Sequence, residues 1–331
     1  MKLLITGVTG FVGRNFLLSA LESGQYEAIY LPVRNRAKFE AQLKQDGIPA
    51  NHPSLRVFEA TAGDWKLGDA AQAEHAVHAA GVIFARTREE YWDTNVEGTI
   101  RLFRALKNPQ KVVVLSSLAA AGPNATALAR VERDSSEPVT WYGQSKLEME
   151  RRLAGEFAKV PYLLLRPPMI FGPRDQATLP LFKMVRNPVH FKPGYADKYF
   201  SVLSVDDLVE AIQTALGHSW SSSGGVYYVA HPHVITDREL LSNAAAVSGR
   251  PSRVVWVPQP LLKLASRLID TIPTWRATIP SLSVDRAKEI WPKRWVVSAA
   301  AFERDFGWRA KTSFRQSLEQ TRAWYLQTGQ I

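Results

Sequence analysis

Residues 1–13, MKLLITGVTGFVG, decide the fold of this chain. A short apolar run typical of a buried strand is followed by glycines at positions 7, 10 and 13, in the spacing G-x-x-G-x-x-G. Glycine permits a tight turn from strand to helix and lets backbone N–H groups approach a ligand closely. The N-terminus of the following helix attracts anions. The segment therefore predicts a strand, a glycine turn and a helix that together bind a pyrophosphate.

Short β-branched runs alternate with helical patterns through the first half of the chain, which is typical of a parallel sheet. Predicted strands cover 2–6, 28–33, 55–60, 76–78, 111–116 and 162–166, with helices beginning near 11, 37, 65, 88 and 141. Prolines become frequent after residue 166. We expect an α/β fold, with a Rossmann-type doubly wound parallel sheet and a smaller, discontinuous C-terminal lobe.

The predicted domains follow from the same pattern. Residues 1–166 form the dinucleotide-binding domain, and 199–230 return to it through a strand over 199–205, a helix over 206–215 and a strand over 226–230. Residues 167–198 and 231–331 mainly form a substrate-binding lobe.

Composition narrows the function classes. The 331 residues include no cysteine, which removes disulfides and thiolate metal sites and fits a reducing compartment. We expect a cytoplasmic protein without a membrane span, since no apolar run reaches the ~18 residues that a span needs. The 41 basic and 31 acidic residues give a net charge of +10. Because the basic residues are scattered, we interpret them as a solvated surface that binds no nucleic acid. We predict no metal site, since His231 and His233 lack further ligands nearby.

The residue after the second predicted strand indicates which dinucleotide is bound. An acidic residue there usually binds the ribose of NAD, whereas an arginine accommodates the 2′-phosphate of NADP. Here the strand is followed by Arg34, and Arg36 and Lys38 lie close by. Guanidinium groups form charge-assisted hydrogen bonds to phosphate. The sequence therefore favours NADP over NAD.

A second motif is Y-x-x-x-K at Tyr142 and Lys146. On a helix this spacing puts the phenol and the ammonium on one face. A tyrosine titrates near ~10, and a neighbouring ammonium lowers that pKa toward the range useful for proton transfer. The pair is a candidate acid–base site.

The two motifs together resemble the extended short-chain dehydrogenase/reductase family, also called the NAD-dependent epimerase/dehydratase family. The resemblance runs almost end to end. Further segments with family-like order and spacing are GD at 63–64, HAAG at 78–81, NVEGT at 95–99, LSS at 115–117, RPPMIFGP at 166–173, VDDL at 205–208 and FGW at 306–308.

The resemblance implies roles for individual residues. Tyr142 would be the general acid/base, Lys146 would tune it and bind the nicotinamide ribose, and Ser117 would polarise the substrate carbonyl. Ser117 is preferred to Ser116 because its distance from Tyr142 matches the family pattern. Asn95 would hold the backbone or a proton-relay water. The predicted cofactor-binding residues are Gly7, Thr9, Gly10, Phe11, Val12, Gly13, Arg34, Asp64, Trp65, Ala79, Ala80, Gly81, Tyr142, Lys146 and Pro167.

Two departures point to a branch of the family. Leu118 and Ala119 stand where sugar dehydratases have an Asp-Glu pair, and Arg34 stands where sugar epimerases usually have an acidic residue. The chain looks most like the dihydroflavonol reductases and 3β-hydroxysteroid dehydrogenases. We therefore predict an oxidoreductase that transfers a hydride between NADP and a carbonyl or alcohol of a small hydrophobic substrate. Predicted pocket walls are Phe84, Trp141, Met169, Phe171 and Leu179.

Two other functions stay open. One is a nucleotide-sugar epimerase with tightly held NAD. The other is a non-catalytic NADP-binding sensor or assembly protein, which the presence of Ser117, Tyr142 and Lys146 disfavours. Family members often dimerise through two helices, here 88–106 and 141–158. Their exposed faces are charged in this sequence, so a homodimer would need a polar interface.

Overall fold

The computed structural model describes residues 1–220, 225–271 and 283–331. In chain order the strands are β1 (Lys2–Thr6), β2 (Ala28–Val33), β3 (Leu55–Glu59), β4 (His75–His78), β5 (Lys111–Leu115), β6 (Tyr162–Arg166), β7 (Met169–Phe171), β8 (Val189–Pro193), β9 (Tyr199–Phe200), β10 (Val202–Ser204), β11 (Gly225–Tyr228), β12 (Ile235–Thr236), β13 (Arg253–Val257) and β14 (Arg294–Trp295).

Helices connect these strands and cover the sheet. They are α1 (Phe11–Glu22), α2 (Arg36–Gln45), α3 (Arg88–Tyr91), α4 (Gly98–Ala105), α5 (Leu118–Ala121), α6 (Trp141–Glu156), α7 (Leu179–Met184), α8 (Val205–Gly217), α9 (Asp237–Val247), α10 (Gln259–Thr271), α11 (Val284–Ala287), α12 (Ala300–Phe306) and α13 (Phe314–Gln327). A 3₁₀ turn covers Gly68–Gln72, and a π-helical turn covers Trp92–Glu97.

Seven parallel strands form the central sheet, in the order β3-β2-β1-β4-β5-β6-β11. The strand order reverses between β1 and β4, and in such sheets a ligand binds at the carboxyl ends of the strands on either side of the reversal. Alternate residues of β1 pack into different layers, with Leu3 and Ile5 on the side of α1 and α8, and Leu4 on the side of α4 and α6. The predicted doubly wound sheet is confirmed.

Three predicted elements differ from the structure, one of them the helix expected over 88–106, which the π-helical turn divides into α3 and α4. The helix expected from residue 65 is only the 3₁₀ turn, because Gly68 takes a positive φ of 51° that interrupts a regular helix. The strand expected over 199–205 is divided into β9 and β10, which join two different small sheets. Among the described residues of the 199–230 segment, only β11 enters the central sheet, while α8 packs against α1 and β5. The proposed domain division stays a prediction.

The C-terminal lobe is assembled from three small sheets and their helices. β10 pairs with β7, β9 lies between β12 and β14, and β13 pairs in parallel with β8. Within the described ranges, no helix combines the length and the apolar character that crossing a bilayer requires.

Candidate active site

The glycine turn packs directly against the loop that follows β4. Gly7 has a φ of +73°, and a Cβ there would lie 2.5 Å from the carbonyl carbon of Ala79. A Cβ at Gly13 would lie 2.4 Å from the carbonyl oxygen of Gly7. The N–H of Gly10 donates to that same oxygen at 2.9 Å. Glycine is therefore required sterically, and the turn places the N-terminus of α1 at the sheet's ligand-binding edge.

A cavity of about 450 Å³ begins at this turn and extends to the end of β5 and the start of α6. Its size falls within the usual range for small-molecule sites. Eleven of the residues predicted as catalytic or cofactor-binding line it: Gly7, Gly10, Phe11, Val12, Gly13, Ala79, Gly81, Ser117, Tyr142, Lys146 and Pro167. The structure thus brings the two sequence motifs to one cavity.

The remaining predicted residues lie outside the cavity wall. They are Thr9, Arg34, Asp64, Trp65, Ala80 and Asn95. The N–H of Ala80 donates to Thr6 Oγ1 at 3.4 Å, and the carbonyl of Thr9 accepts from Gln42 at 3.5 Å. Both contacts hold the loops around the glycine turn.

Asn95 is fully buried in the π-helical turn and forms hydrogen bonds with the loop after β4, beside the cavity. Its Oδ1 accepts the N–H of Val82 at 2.8 Å, and its Nδ2 donates to the carbonyl of Val82 at 3.1 Å and to Ser145 Oγ at 3.0 Å. Of the two roles expected for Asn95, the backbone-holding one matches this geometry. These hydrogen bonds join the loop after β4 to α6, which carries Tyr142.

Tyr142 is buried in the cavity wall, near Ser117. Burial raises the pKa of the Tyr142 phenol, while a hydrogen bond with Ser117 and the positive charge of Arg286 act in the opposite direction. Because burial dominates, the phenol is protonated at neutral pH. Ser117 is held at the start of α5, where its Oγ accepts the N–H of Ala119 at 3.1 Å.

Arg286 is a site residue that the sequence analysis missed. Its guanidinium lies 5.3 Å from the ring centroid of Tyr142 and 5.2 Å from that of Phe84, and it pairs with Glu289 at 2.9 Å. Both Arg286 and Glu289 line the cavity. No local motif marks Arg286, because α11 reaches the cavity only through the tertiary fold.

Lys146 is buried beside the loop after β4. Its Nζ donates to the carbonyl of Leu115 at 2.8 Å, and a Cβ at Gly81 would lie 3.3 Å from that nitrogen. Burial lowers the pKa of Lys146 to about 8, although the charge of Glu150 opposes this. Arg286 is a cation that acts to lower the pKa of the Tyr142 phenol, and the tuning of Tyr142 by Lys146 stays a prediction.

Ser116 also lines the cavity, but its hydroxyl is engaged in a buried network. Its Oγ donates to the Glu150 carboxylate, which also accepts Nε of Arg166 at 2.9 Å and Nη2 of Arg166 at 2.5 Å. Arg166 also donates to the hydroxyl of Tyr228 at 3.1 Å. Breaking a buried ion pair by removing one partner is strongly destabilising. The network fixes α6 to β5, β6 and β11, and it supports the choice of Ser117 over Ser116.

The predicted adenosine-end residues lie at the carboxyl ends of β2 and β3. Arg34 is exposed directly after β2, whereas the neighbouring Arg36 pairs with Glu40 at 2.8 Å. Asp64 is exposed and pairs with Lys66 at 3.0 Å. Trp65 donates its indole N–H to the Gly98 carbonyl at 2.7 Å, so the structure gives it a packing role. The glycine cradle and the exposed Arg34 fit a phosphorylated dinucleotide.

The cavity wall near Tyr142 is mainly apolar, and it corrects part of the predicted pocket. Phe84 and Met169 line it as expected, whereas Phe171 is fully buried and packs on Phe314 at 5.1 Å between ring centroids. Leu179 packs with the same core, and Trp141 lines a smaller neighbouring cavity. Further apolar wall residues are Val82, Ile83, Ile170, Phe200 and Trp295.

The part of the chain that the structure describes contains no cluster of potential metal ligands. Within residues 1–220, 225–271 and 283–331, no group of three or more His, Asp or Glu side chains could hold an ion. His231 Nδ1 instead accepts the N–H of His233 at 3.0 Å.

The parallel sheet, the glycine turn and the Ser117, Tyr142 and Lys146 set define the extended short-chain dehydrogenase/reductase type. Residues 3–230 match the model of the NAD dependent epimerase/dehydratase family, and the chain belongs to this family. Its relatives include a ceramide reductase of Caulobacter vibrioides, 26% identical over 349 residues, covering 98% of this chain and 94% of that one. Another is a UDP-glucose 4-epimerase of Vibrio cholerae, 22% identical over 339 residues, covering 98% and 96%.

Solved structures share the fold. MoeE5 in complex with UDP-glucuronic acid and NAD superposes with a TM-score of 0.76 at 20% identity, covering 99% of this chain and all of that one. The UDP-glucuronic acid 4-epimerase of Bacillus cereus, also in complex with NAD, gives 0.78 at 16% identity, covering 99% of this chain and 100% of that one. The expected likeness to dihydroflavonol reductases and 3β-hydroxysteroid dehydrogenases is not confirmed by these proteins.

Proposed function

We propose that this protein is an NADP-dependent reductase. Its substrate is an apolar carbonyl compound about as large as a segment of a lipid chain. The observation that carries the proposal is the apolar wall of the cavity beside Tyr142 and Ser117. This wall is formed by Phe84, Met169, Ile170, Phe200 and Trp295. Such a wall binds hydrocarbon, while the two hydroxyls supply the polar contacts that orient a carbonyl. The relative named ceramide reductase supports a lipid-like substrate class.

A protonated Tyr142 provides the proton donor that the reduction of a carbonyl requires. Burial raises the pKa of its phenol, so the proton that a carbonyl oxygen must gain is held at Tyr142 Oη. Ser117 Oγ lies beside that phenol and is the second hydrogen-bond donor to the same oxygen. A nicotinamide bound in the cavity supplies the hydride. Lys146 Nζ, held by the Leu115 carbonyl, is the donor we assign to the cofactor ribose.

The choice of NADP rests on Arg34. Arg36 already has a carboxylate partner in Glu40, whereas Arg34 is exposed at the carboxyl end of β2. The related structures contain NAD, so the proposed preference for NADP rests on the basic residues of this chain alone.

An NADPH oxidation assay tests the proposal. The purified protein is supplied with NADPH and a panel of long-chain aldehydes, ketones and 3-ketone sphingolipids, and the absorbance of NADPH is followed. We expect turnover with at least one long-chain carbonyl, at a rate that falls as the chain is shortened. Oxidation at equal rates without substrate, or no oxidation across the panel by protein that binds NADPH, would reject the proposal.

A nucleotide-sugar epimerase is the second candidate, and Arg286 favours it. A guanidinium in the cavity wall is a ligand for a diphosphate, and the Vibrio cholerae relative is named a UDP-glucose 4-epimerase. Glu289 already pairs with Arg286, which lowers the attraction for a further anion. Interconversion of UDP-glucose and UDP-galactose without added cofactor would establish this function.

A further inference from the structure

Strand β8 in the C-terminal lobe has an inverted burial pattern. Its apolar residues Val189 and Phe191 are exposed, Phe191 by 59%, whereas His190 and Lys192 are buried. In a sheet that covers a hydrophobic core, alternate apolar residues face inward. This strand directs its apolar residues outward.

The inversion is stabilised by specific contacts on the buried side. Lys192 Nζ donates to Asp237 Oδ2 at 3.0 Å and to the carbonyl of Ala196 at 2.8 Å. His190 contacts the Asn187 carbonyl at 2.8 Å and Ser252 Oγ at 3.1 Å. Buried charges need such partners, and slipping the strand by one residue would leave them without any. The outward orientation of Phe191 is therefore fixed by the fold.

Two further elements of the lobe, β13 and α10, also expose apolar residues. β13 pairs with β8 so that the exposed Val255 lies beside Phe191. Trp256 follows on the other side of β13, where it is half exposed and packs edge-on against Tyr195 with ring centroids 6.1 Å apart. Helix α10 begins two residues after β13 ends. Its Leu261, Leu264 and Leu268 follow helical spacing and are exposed by 57%, 54% and 47%. We call Val189, Phe191, Val255 and the three exposed leucines of α10 the lobe face.

Basic residues dominate the charges of the segments that carry the lobe face, and the partly exposed Asp197 beside them pairs with Arg238. Residues 183–195 and 250–268 contain no aspartate or glutamate. Their exposed charged side chains are all basic: Lys183, Arg186, Arg250, Arg253, Lys263 and Arg267. Leucines on one face of a helix, beside a lysine and an arginine, are typical of a helix that lies in the interface of a membrane.

We propose that the lobe face docks on the surface of an anionic lipid bilayer. The aromatic and leucine side chains would enter the region between head groups and acyl chains, and the basic residues would contact the lipid phosphates. A second copy of this chain fits less well, because a two-fold interface would bring two sets of the same cations together. An RNA fits less well, because bases would stack only on the exposed aromatic rings and would leave the leucines of α10 in water.

The position of the lobe face relates it to the cavity. α10 packs against α11, whose Arg286 lines the cavity wall beside Tyr142. A protein docked through the lobe face would hold the cavity close to the bilayer. The inference goes beyond the proposed function and needs no enzymatic activity, so each can fail without the other.

Vesicle sedimentation of the full chain tests the proposal. The probes are vesicles of phosphatidylcholine alone and vesicles with about one third phosphatidylglycerol, enough to give an anionic surface. Phe191→Asp and Leu264→Asp introduce a charge into the lobe face. Leu128→Asp is the matched control, because Leu128 is 77% exposed and lies on a loop outside the lobe face. Thermal unfolding and NADPH binding verify that all three variants fold.

We expect the unmutated chain and Leu128→Asp to sediment with anionic vesicles, and much less with neutral ones. Phe191→Asp and Leu264→Asp should each lower the partition coefficient at least ~10-fold, since a carboxylate replaces a side chain inserted among acyl chains. An unmutated chain that stays in the supernatant would overturn the proposal. So would equal binding by all three variants, or a dimer in light scattering that only the two lobe-face substitutions dissociate.

Discussion

Replacing Arg34 by alanine should remove most of the preference for NADPH over NADH. Charge-assisted hydrogen bonds contribute ~1.5–3 kcal/mol, and each 1.4 kcal/mol changes a dissociation constant about tenfold. Since Arg34 is exposed, water competes for the phosphate, and we expect the lower part of this range. NADPH affinity should therefore fall about 10- to 30-fold, while NADH affinity changes less than ~2-fold.

The matched control is Arg36→Ala, two residues further along the chain. Arg36 is also exposed and basic, but it already pairs with Glu40 at 2.8 Å. Its loss should lower NADPH affinity less than the loss of Arg34. Quenching of protein fluorescence by each cofactor gives the dissociation constants. Equal affinities for the two cofactors in the unmutated protein, or an equal effect of both substitutions, would refute the argument.

Four further predictions concern the site and the assembly. Tyr142→Phe should keep NADPH binding while steady-state turnover falls at least ~100-fold, because the proton donor is lost; near-normal turnover would assign the proton to another group. Gly7→Ala should lower the free energy of unfolding, measured in urea, more than Gly24→Ala does. Both glycines have a positive φ, but of the two only Gly7 would bring a Cβ within 4 Å of other backbone atoms. Equal losses of unfolding free energy in the two variants would contradict this. Burial lowers the pKa of Lys146 from 10.5 to about 8, so between these pH values the unfolded chain binds a proton that the folded chain lacks. Unfolding free energy should therefore rise with pH in this window, and this rise should be smaller in Lys146→Met; an unchanged pH dependence in that variant would contradict the burial argument. We predict a homodimer in light scattering at micromolar concentration, and the mass of a single chain would reject it.

The features that the sequence predicts well have local causes. The turn at Gly7 follows from glycine spacing. Ser117 follows β5 at the edge where the parallel strands end, and the Y-x-x-x-K motif predicts that Tyr142 and Lys146 share one face of α6. Arg286 has no such local signal, because its position depends on the packing of α11 against α6 and the loop after β4. A site residue contributed by an element distant in the sequence is therefore not predicted from local sequence patterns.

Local sequence patterns also gave wrong predictions for the environment of particular residues. Phe171 looked like a pocket wall, yet it packs on Phe314 in the lobe core, because residue type does not distinguish the two environments. The π-helical turn that positions Asn95 lies inside what reads as one regular helix. The burial of Lys192 depends on Asp237, a partner that lies on another element.

Transfer of label from the cofactor tests the proposed reaction most directly. The protein is incubated with NADPH carrying deuterium at the reactive nicotinamide carbon and with a long-chain ketone, and the products are analysed by mass spectrometry. The account predicts that deuterium appears on the new carbinol carbon, with one NADP formed for each alcohol, and that Tyr142→Phe abolishes the transfer. Interconversion of a nucleotide sugar without net oxidation of NADPH, together with an unlabelled ketone, would contradict it.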